Sequence, residues 1–151
     1  MTSVVLASPS EKHIDTEKLT AAVKVARTAT YFGVGGIGFA GRISEGEEAL
    51  HLVISSRDNQ LLMTLAQDKN EVSRLYALLA LRYLNNPEYK PLAESLRKSK
   101  ARVETFSGCL RASEKVADIA ERIVKGDYNQ VLTFDAKRLE KQAVAKQKKQ
   151  G

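Results

Sequence analysis

Residues 61–84 contain the feature that most constrains what this chain can fold into. This stretch predicts two helices joined by a polar turn, and the second helix is apolar on nearly every side. Only three residues interrupt its apolar surface: Ser73, Arg74 and Arg82. A helix that is apolar around most of its circumference must be surrounded by other elements. We therefore predict that residues 71–84 form the central helix of a helical core.

The other periodic segments extend this prediction to an all-α fold. Apolar residues recur at helical spacing from Thr16 and again from Ser113, and both residues are candidate helix caps. Asp58 is predicted to open the first helix of residues 61–84, and Asn70 to cap the central one. Residues 45–55 fit either a helix or a short strand. Gly46 in the first turn argues against the helix, but we favour the helix. We predict a small antiparallel helical bundle of αα-hairpins, with at most a short extended segment near residues 102–110.

The 151 residues suit one domain with two appendages. We predict a flexible N-terminal arm at residues 1–14, a helical domain at residues 15–134 and a basic tail at residues 135–151. The tail is predicted to be a fraying helix or disordered, because it is rich in lysine and poor in large apolar groups.

Few side chains are suited to catalysis or metal binding. The chain has one cysteine, Cys109, and two histidines, His13 and His51, which excludes an internal disulfide and a cysteine-rich zinc site. The flanking Gly108 and Leu110 favour a buried structural cysteine over a nucleophile. We predict no catalytic residue, no metal and no cofactor.

Two neighbouring acids follow a capping signal. Ser44 and Glu47 have the spacing of a capping box, in which each side chain bonds the other residue's backbone amide. Glu47 and Glu48 are predicted to lie on an exposed helix face, because paired acids on a helix are usually solvated.

The segment from Gly33 to Gly41 holds five glycines in nine residues and is predicted to connect two helices. Its letters GVGGIG match the dinucleotide-binding fingerprint, and Asp58 follows where a ribose-binding acid is expected. A preceding strand and a directly following helix are both lacking, so we predict no cofactor here. The segment is either a passive connector or a loop that presents side chains to a partner. The candidate interaction residues are Phe32, Gly35, Gly36, Ile37 and Phe39.

The hairpin at residues 61–84 resembles a HEAT-type helical repeat. The matching residues are Leu61, Leu62, Leu65, Asp68, Asn70, Glu71, Val72, Arg74, Ala77, Leu78, Ala80 and Leu81. The resemblance implies that the aspartate and the arginine lock neighbouring repeats, and that stacked hairpins present a surface to other proteins. It covers one copy, whereas stacked repeats need about three copies to share a core. We therefore predict a generic bundle rather than a repeat array.

The net charge of +6 is concentrated at the C-terminus. Residues 137–151 hold six basic residues and one acidic residue, which leaves the rest of the chain close to neutral. The candidate basic contacts are Lys137, Arg138, Lys141, Lys146, Lys148 and Lys149. They are not interleaved with aromatic residues, so the pattern is more typical of a solubilising surface than of a nucleic-acid site.

A helical surface without catalytic groups favours a non-catalytic protein–protein interaction module over an enzyme. The predicted partner is another protein. The alternative is electrostatic binding of nucleic acid or of an anionic membrane surface through the basic tail. A single cysteine fits a reducing compartment, so the cytoplasm is slightly favoured, and an exported protein with a trimmed leader stays open. The oligomeric state is open as well.

Overall fold

The computed structural model describes residues 14–150, so residues 1–13 of the predicted N-terminal arm lie outside the described part of the chain. In chain order the elements are α1 (Thr16–Thr28), β1 (Tyr31–Ile37), α2 (Glu45–Ser56), α3 (Asn59–Ala66), α4 (Glu71–Tyr83), α5 (Tyr89–Arg97), β2 (Arg102–Gly108), β3 (Leu110–Lys115), α6 (Val116–Lys125) and α7 (Asn129–Lys149).

A three-stranded mixed sheet makes the fold α/β, and the predicted all-α helical bundle is wrong. β1 pairs in parallel with β2, and β2 pairs antiparallel with β3. The glycine-rich segment is therefore a strand rather than a connector between helices. Periodicity along the sequence missed it because its pairing partner is distant in the chain, with Tyr31 opposite Glu104. The extended segment predicted near residues 102–110 is confirmed as β2.

Helix α4 is the centre of the core, as predicted. Nine of its thirteen residues are buried, and seven of them form an unbroken run from Leu75 to Leu81. It contacts β1 and the helices α1, α2, α3, α5 and α6. The charged Arg74 lies only partly buried and reaches out to the Ser95 hydroxyl on α5 at 2.7 Å. A nearly all-apolar helix is stable here because other elements cover it on every side.

Side-chain caps fix several helix starts where the sequence predicts them. Ser44, Asp58 and Asn70 each accept a hydrogen bond from an amide in the first turn of α2, α3 and α4, respectively. Residues 45–55 are accordingly helical, as favoured. At α1 the cap is Asp15, one residue before the predicted Thr16.

The cap predicted at Ser113 is wrong. Residues 110–115 pair with β2 throughout their length, and α6 begins only at Val116. The turn between the two strands also exposes Cys109, so the predicted buried cysteine is wrong as well. Gly108 adopts a φ of +57° next to it, a conformation that glycine tolerates, and this makes the tight turn possible.

Hairpin α3–α4 contains the residues that resemble a HEAT repeat. Asp68 lies in its turn and accepts a hydrogen bond from Arg27 of α1 at 2.7 Å, and Asn70 donates to the carbonyl of Ala29 at 2.9 Å. These polar contacts tie the turn to α1 rather than to a second hairpin of the same kind. The relation to HEAT repeats stays a prediction.

Helix α7 includes most of the predicted basic tail. Leu132 and Asp135 are buried, whereas every residue from 140 to 149 is exposed. The predicted boundary at residue 135 therefore falls inside one continuous helix with a packed first half and a solvated second half. Among the helices of residues 14–150, none combines the length and the apolar character needed to cross a membrane.

We predict that Leu79→Ala lowers the free energy of unfolding by about 2–5 kcal/mol, because it removes buried methyl groups and leaves a cavity in the centre of the core. Chemical denaturation measures this change. Leu110→Ala is the matched control, since Leu110 is 76% exposed and its truncation should change stability by no more than about 0.5 kcal/mol. A loss below about 1 kcal/mol for Leu79→Ala would contradict the central position of α4.

Candidate functional site

The outer edge of β1 is covered by side chains instead of by another strand. The Tyr76 hydroxyl accepts a hydrogen bond from the Gly33 amide at 3.1 Å and donates to the Gly33 carbonyl at 3.2 Å. The Ser44 hydroxyl donates to the same carbonyl at 2.7 Å. Burial raises the pKa of Tyr76 to about 12, so the hydroxyl keeps the proton that it donates. These contacts satisfy the peptide groups that an edge strand otherwise leaves open.

A glycine in α2 allows Tyr76 to reach the strand. A methyl group on Gly46 would lie 2.5 Å from the Tyr76 hydroxyl, well inside van der Waals contact. Gly46 therefore has a packing role, although glycine in the first turn of a helix weakens it. From the sequence alone, Gly46 only argues against a helix at residues 45–55.

Glu47 holds the next part of β1. Its Oε2 accepts a hydrogen bond from the Gly35 amide at 2.9 Å, where the Gly35 φ is +88°. The side chain is completely buried, so the prediction that Glu47 is solvated is wrong. Half of the predicted capping box is present, because the Ser44 hydroxyl accepts from the Glu47 amide at 3.1 Å. The Glu47 carboxyl bonds to β1 instead of returning to Ser44.

A second buried acid and a histidine surround the Glu47 carboxyl. His51 Nε2 lies 3.3 Å from Glu47 Oε1, and Asp135 of α7, which is only 1% exposed, also interacts with the carboxyl. Burial raises the pKa of Glu47, the hydrogen bond with His51 opposes that shift, and the hydrogen bond and charge of Asp135 add to it. Asp135 Oδ2 has no donor among the described residues. A protonated Glu47 carboxyl would supply that donor and would remove the repulsion between two buried carboxylates.

This buried acid cluster joins three elements: β1 through Gly35, α2 through Glu47 and α7 through Asp135. Arg138, one turn later in α7, lies 3.4 Å from Asp135 Oδ1 and donates from both terminal nitrogens to the Gly41 carbonyl at 3.2 Å. The cluster thus fixes the glycine-rich strand and the turn that follows it. Over residues 14–150, no three histidine, cysteine or acidic side chains are arranged to hold a metal ion.

The turn after β1 exposes a phenylalanine. Gly38 and Gly41 have positive φ values of 69° and 59°, and the turn between them is closed by two backbone hydrogen bonds between Ile37 and Arg42, of 2.8 and 2.9 Å. Phe39 at its apex is fully exposed. A glycine hydrogen bond, from Gly38 N to Gly108 O at 2.9 Å, ties this turn to the β2–β3 turn.

The β2–β3 turn adds two more exposed side chains at the same end of the sheet. Leu110 is 76% exposed, and Cys109 is exposed beside it. We call Phe39, Cys109 and Leu110 the tip surface. Large apolar side chains exposed together on loops are typical of interaction sites.

The predicted interaction residues are only partly accessible. Phe32 and Gly35 are buried, Ile37 is half-buried, and Gly36 and Phe39 are exposed. Leu110 was not predicted, because only the pairing of β1 with β2 brings the two turns together. Of the predicted basic contacts, Arg138 is bound to Gly41 and Asp135, whereas the five lysines are exposed: Lys137, Lys141, Lys146, Lys148 and Lys149.

A cavity of about 350 Å³ lies between the sheet and the start of α7, with Phe32, Thr105 and Tyr128 in its wall. Two of the charged groups that line it, Arg122 and Glu114, are paired, because Arg122 donates to Glu114 at 2.8 Å; Arg122 also donates to the Tyr128 hydroxyl at 3.2 Å. The Thr105 hydroxyl and Arg122 hold the pKa of Glu114 below its ordinary value. The network joins β2, β3 and α6, and its charges are already balanced.

Comparison of the chain with protein-family models, with curated proteins and with solved structures found no match.

We predict that Glu47→Gln removes part of the pH dependence of folding. Because the pKa of Glu47 in the folded protein lies above its ordinary value of 4.5, the folded state binds the proton more tightly than the unfolded state. This contribution to stability is complete below pH 4.5 and is lost as the pH rises through the folded pKa. Urea denaturation across this range should show the wild type losing stability relative to Glu47→Gln as the pH rises.

The control for this prediction is Glu47→Ala, which removes the acceptor for the Gly35 amide. It should lower stability by about 1–3 kcal/mol at every pH, because it leaves a buried donor unsatisfied. A pH-independent difference between the wild type and Glu47→Gln would show that Glu47 does not hold the proton.

Proposed function

We propose that this protein is a non-catalytic interaction module that binds another protein through the tip surface. The observation that carries the proposal is the complete exposure of Phe39 at the apex of a closed turn. A phenylalanine gains about 1.5–3 kcal/mol when it moves from water to an apolar contact, and it gives nothing to folding while it is exposed.

The rigidity of the tip surface supports the proposal. The Phe39 turn is closed by its own backbone hydrogen bonds. The Gly38 amide also bonds to the β2–β3 turn, and Arg138 of α7 donates to the Gly41 carbonyl. A partner that binds there would not have to order a flexible loop, and this preorganisation increases affinity. Aromatic side chains that enter a partner's pocket commonly dominate binding energy.

The buried carboxyls and the Glu114–Arg122 pair make structural contacts, and this also favours binding over catalysis. The carboxyls of Glu47 and Asp135 are buried, and one of them bonds to the backbone of β1. Glu114 and Arg122 bond to each other beside the cavity. These groups have structural partners inside the fold. An exposed thiol at Cys109 fits a reducing compartment, so we keep the cytoplasm as the proposed location.

A second candidate function uses the exposed half of α7. Lys137, Lys141 and Lys148 are spaced so that they share one face of this helix, and Val144, which is 51% exposed, lies between them. This face could attract nucleic acid or an anionic membrane surface. Arg138 is not part of it, because its guanidinium bonds to Gly41 and Asp135.

We predict that the double variant Phe39→Ala/Leu110→Ala folds normally but loses its partner. Stability should change by no more than about 0.5 kcal/mol, since both side chains are exposed. Capture of the native partner is followed as one band of fixed stoichiometry. The affinity for this partner should fall by at least about tenfold, which corresponds to roughly 1.4 kcal/mol of binding free energy.

Two controls accompany this experiment. Val144→Ala truncates an exposed apolar side chain on α7 and should leave capture unchanged. Deletion of residues 141–151 removes four of the five exposed lysines but keeps Arg138, and it should also leave capture unchanged. Loss of capture in the deletion variant together with a steep salt dependence would favour the α7 face and reject the tip surface.

A further inference from the structure

Strand β3 has an open edge. In the described part of the chain, the sheet ends at β3, with no strand beyond it. The Val116 amide points toward β2, because it donates to the Ala101 carbonyl. Alternate residues of an antiparallel strand point their peptide groups to the same side, so those of Leu110, Ala112 and Glu114 also face β2. The amides of Arg111, Ser113 and Lys115 therefore point away from the sheet.

These outward amides have no backbone acceptor among residues 14–150. The Ser113 carbonyl accepts from the Arg102 side chain at 2.7 Å, and a carbonyl oxygen can accept a second hydrogen bond. All β3 residues except the half-buried Glu114 are exposed. An edge of this kind is a template for an added strand.

The face of the sheet beside this edge is basic. Arg111 and Lys115 of β3 lie on the same face as Arg102 and Glu104 of β2. Arg111 is paired with Glu104, which leaves the positive charges of Arg102 and Lys115 in excess on this face. A side chain of an added strand on this face can lie directly across from Lys115, where opposite charges stabilise a strand pair. The Arg102 guanidinium reaches the same edge, because it donates to the Ser113 carbonyl.

The other face of β3 accommodates apolar side chains. It carries Leu110 and Ala112, followed by Glu114, which already bonds to Thr105 and Arg122. Residues of an added strand that point to this face would meet a leucine and a small alanine rather than an unpaired charge.

We propose that β3 binds an extended acidic segment of a partner protein as a fourth strand, with acidic side chains on the basic face and apolar side chains on the other. This inference rests on the proposed function, because it names the kind of segment that the interaction module binds. The two surfaces are continuous, since β3 begins at Leu110 of the tip surface.

A second copy of this chain fits the edge poorly. In an antiparallel β3–β3 pair centred on Ser113, Arg111 of each copy would face Lys115 of the other. Like charges directly opposite each other destabilise a strand pair. Charge complementarity therefore selects an acidic segment over self-association.

The test uses the full-length protein and a fluorescein-labelled peptide of about eight residues in which Glu and Val alternate. Fluorescence polarisation near physiological salt should show saturable binding. Peptides of the same length that alternate Lys or Thr with Val should bind at least about tenfold more weakly. Two further peptides carry N-methyl groups on either the Glu amides or the Val amides. One of them should lose binding and the other keep it, because only alternate amides of an added strand face β3.

Variants of the protein complete the test. Ser113→Pro removes an outward amide and the Oγ that accepts from Arg102 Nε at 3.2 Å, but no backbone hydrogen bond to β2, and it should weaken binding by at least about tenfold. Arg111→Gln/Lys115→Gln should weaken binding, whereas Lys125→Gln/Lys146→Gln, which removes the same charge from exposed helix positions, should not. If Ser113→Pro does not fold, the two N-methylated peptides still test whether binding needs the backbone hydrogen bonds of an added strand.

Absence of binding, equal binding of both methylated peptides, or equal effects of the two charge-neutralising variants would overturn the edge proposal. None of these outcomes bears on whether Phe39 and Leu110 are needed to capture the native partner. Failure of the edge proposal and failure of the proposed function are therefore separate results.

Discussion

The hydrogen bonds between the Tyr76 hydroxyl and both peptide groups of Gly33 are the contact on which the rest of the structure depends. They join the central helix α4 to a strand that has a sheet partner on one side only. Glu47 continues the same edge by binding Gly35, and its buried neighbour Asp135 adds α7. A strand with three glycines in its seven residues would otherwise be weak, because glycine costs backbone entropy and packs little.

The two edges of the sheet are consequently unlike each other. Tyr76 of α4, Glu47 of α2 and the α2 cap Ser44 close the β1 edge, and Gly46 lets Tyr76 approach. The β3 edge has no such cover within residues 14–150, and its side chains are mostly exposed and basic. The exposed turns at the end of the sheet lie between these edges. A fold that covers one edge and leaves the other open offers a single direction for strand addition, and this asymmetry supports a binding role.

Local signals in the sequence predicted the helices well and the sheet badly. The buried run in α4 and the caps at Asp58 and Asn70 are readable because each depends on residues a few positions apart. The strand β1 was missed because its stability comes from β2, Tyr76 and Glu47, all distant in the chain. The candidate site shows the same division. Phe39 was predicted from its glycine-rich loop, whereas Leu110 became a neighbour only through strand pairing.

Native-state hydrogen exchange of the β1 glycine amides tests the central claim most directly. If side chains close the β1 edge, the amides of Gly33 and Gly35 should exchange only in openings whose free energy approaches that of global unfolding, as for amides in α4. The amides of Arg111 and Ser113, on the open β3 edge, should exchange far faster in the same sample. Gly33 and Gly35 exchanging as rapidly as Ser113 would contradict the account, because β1 would then be an open edge as well.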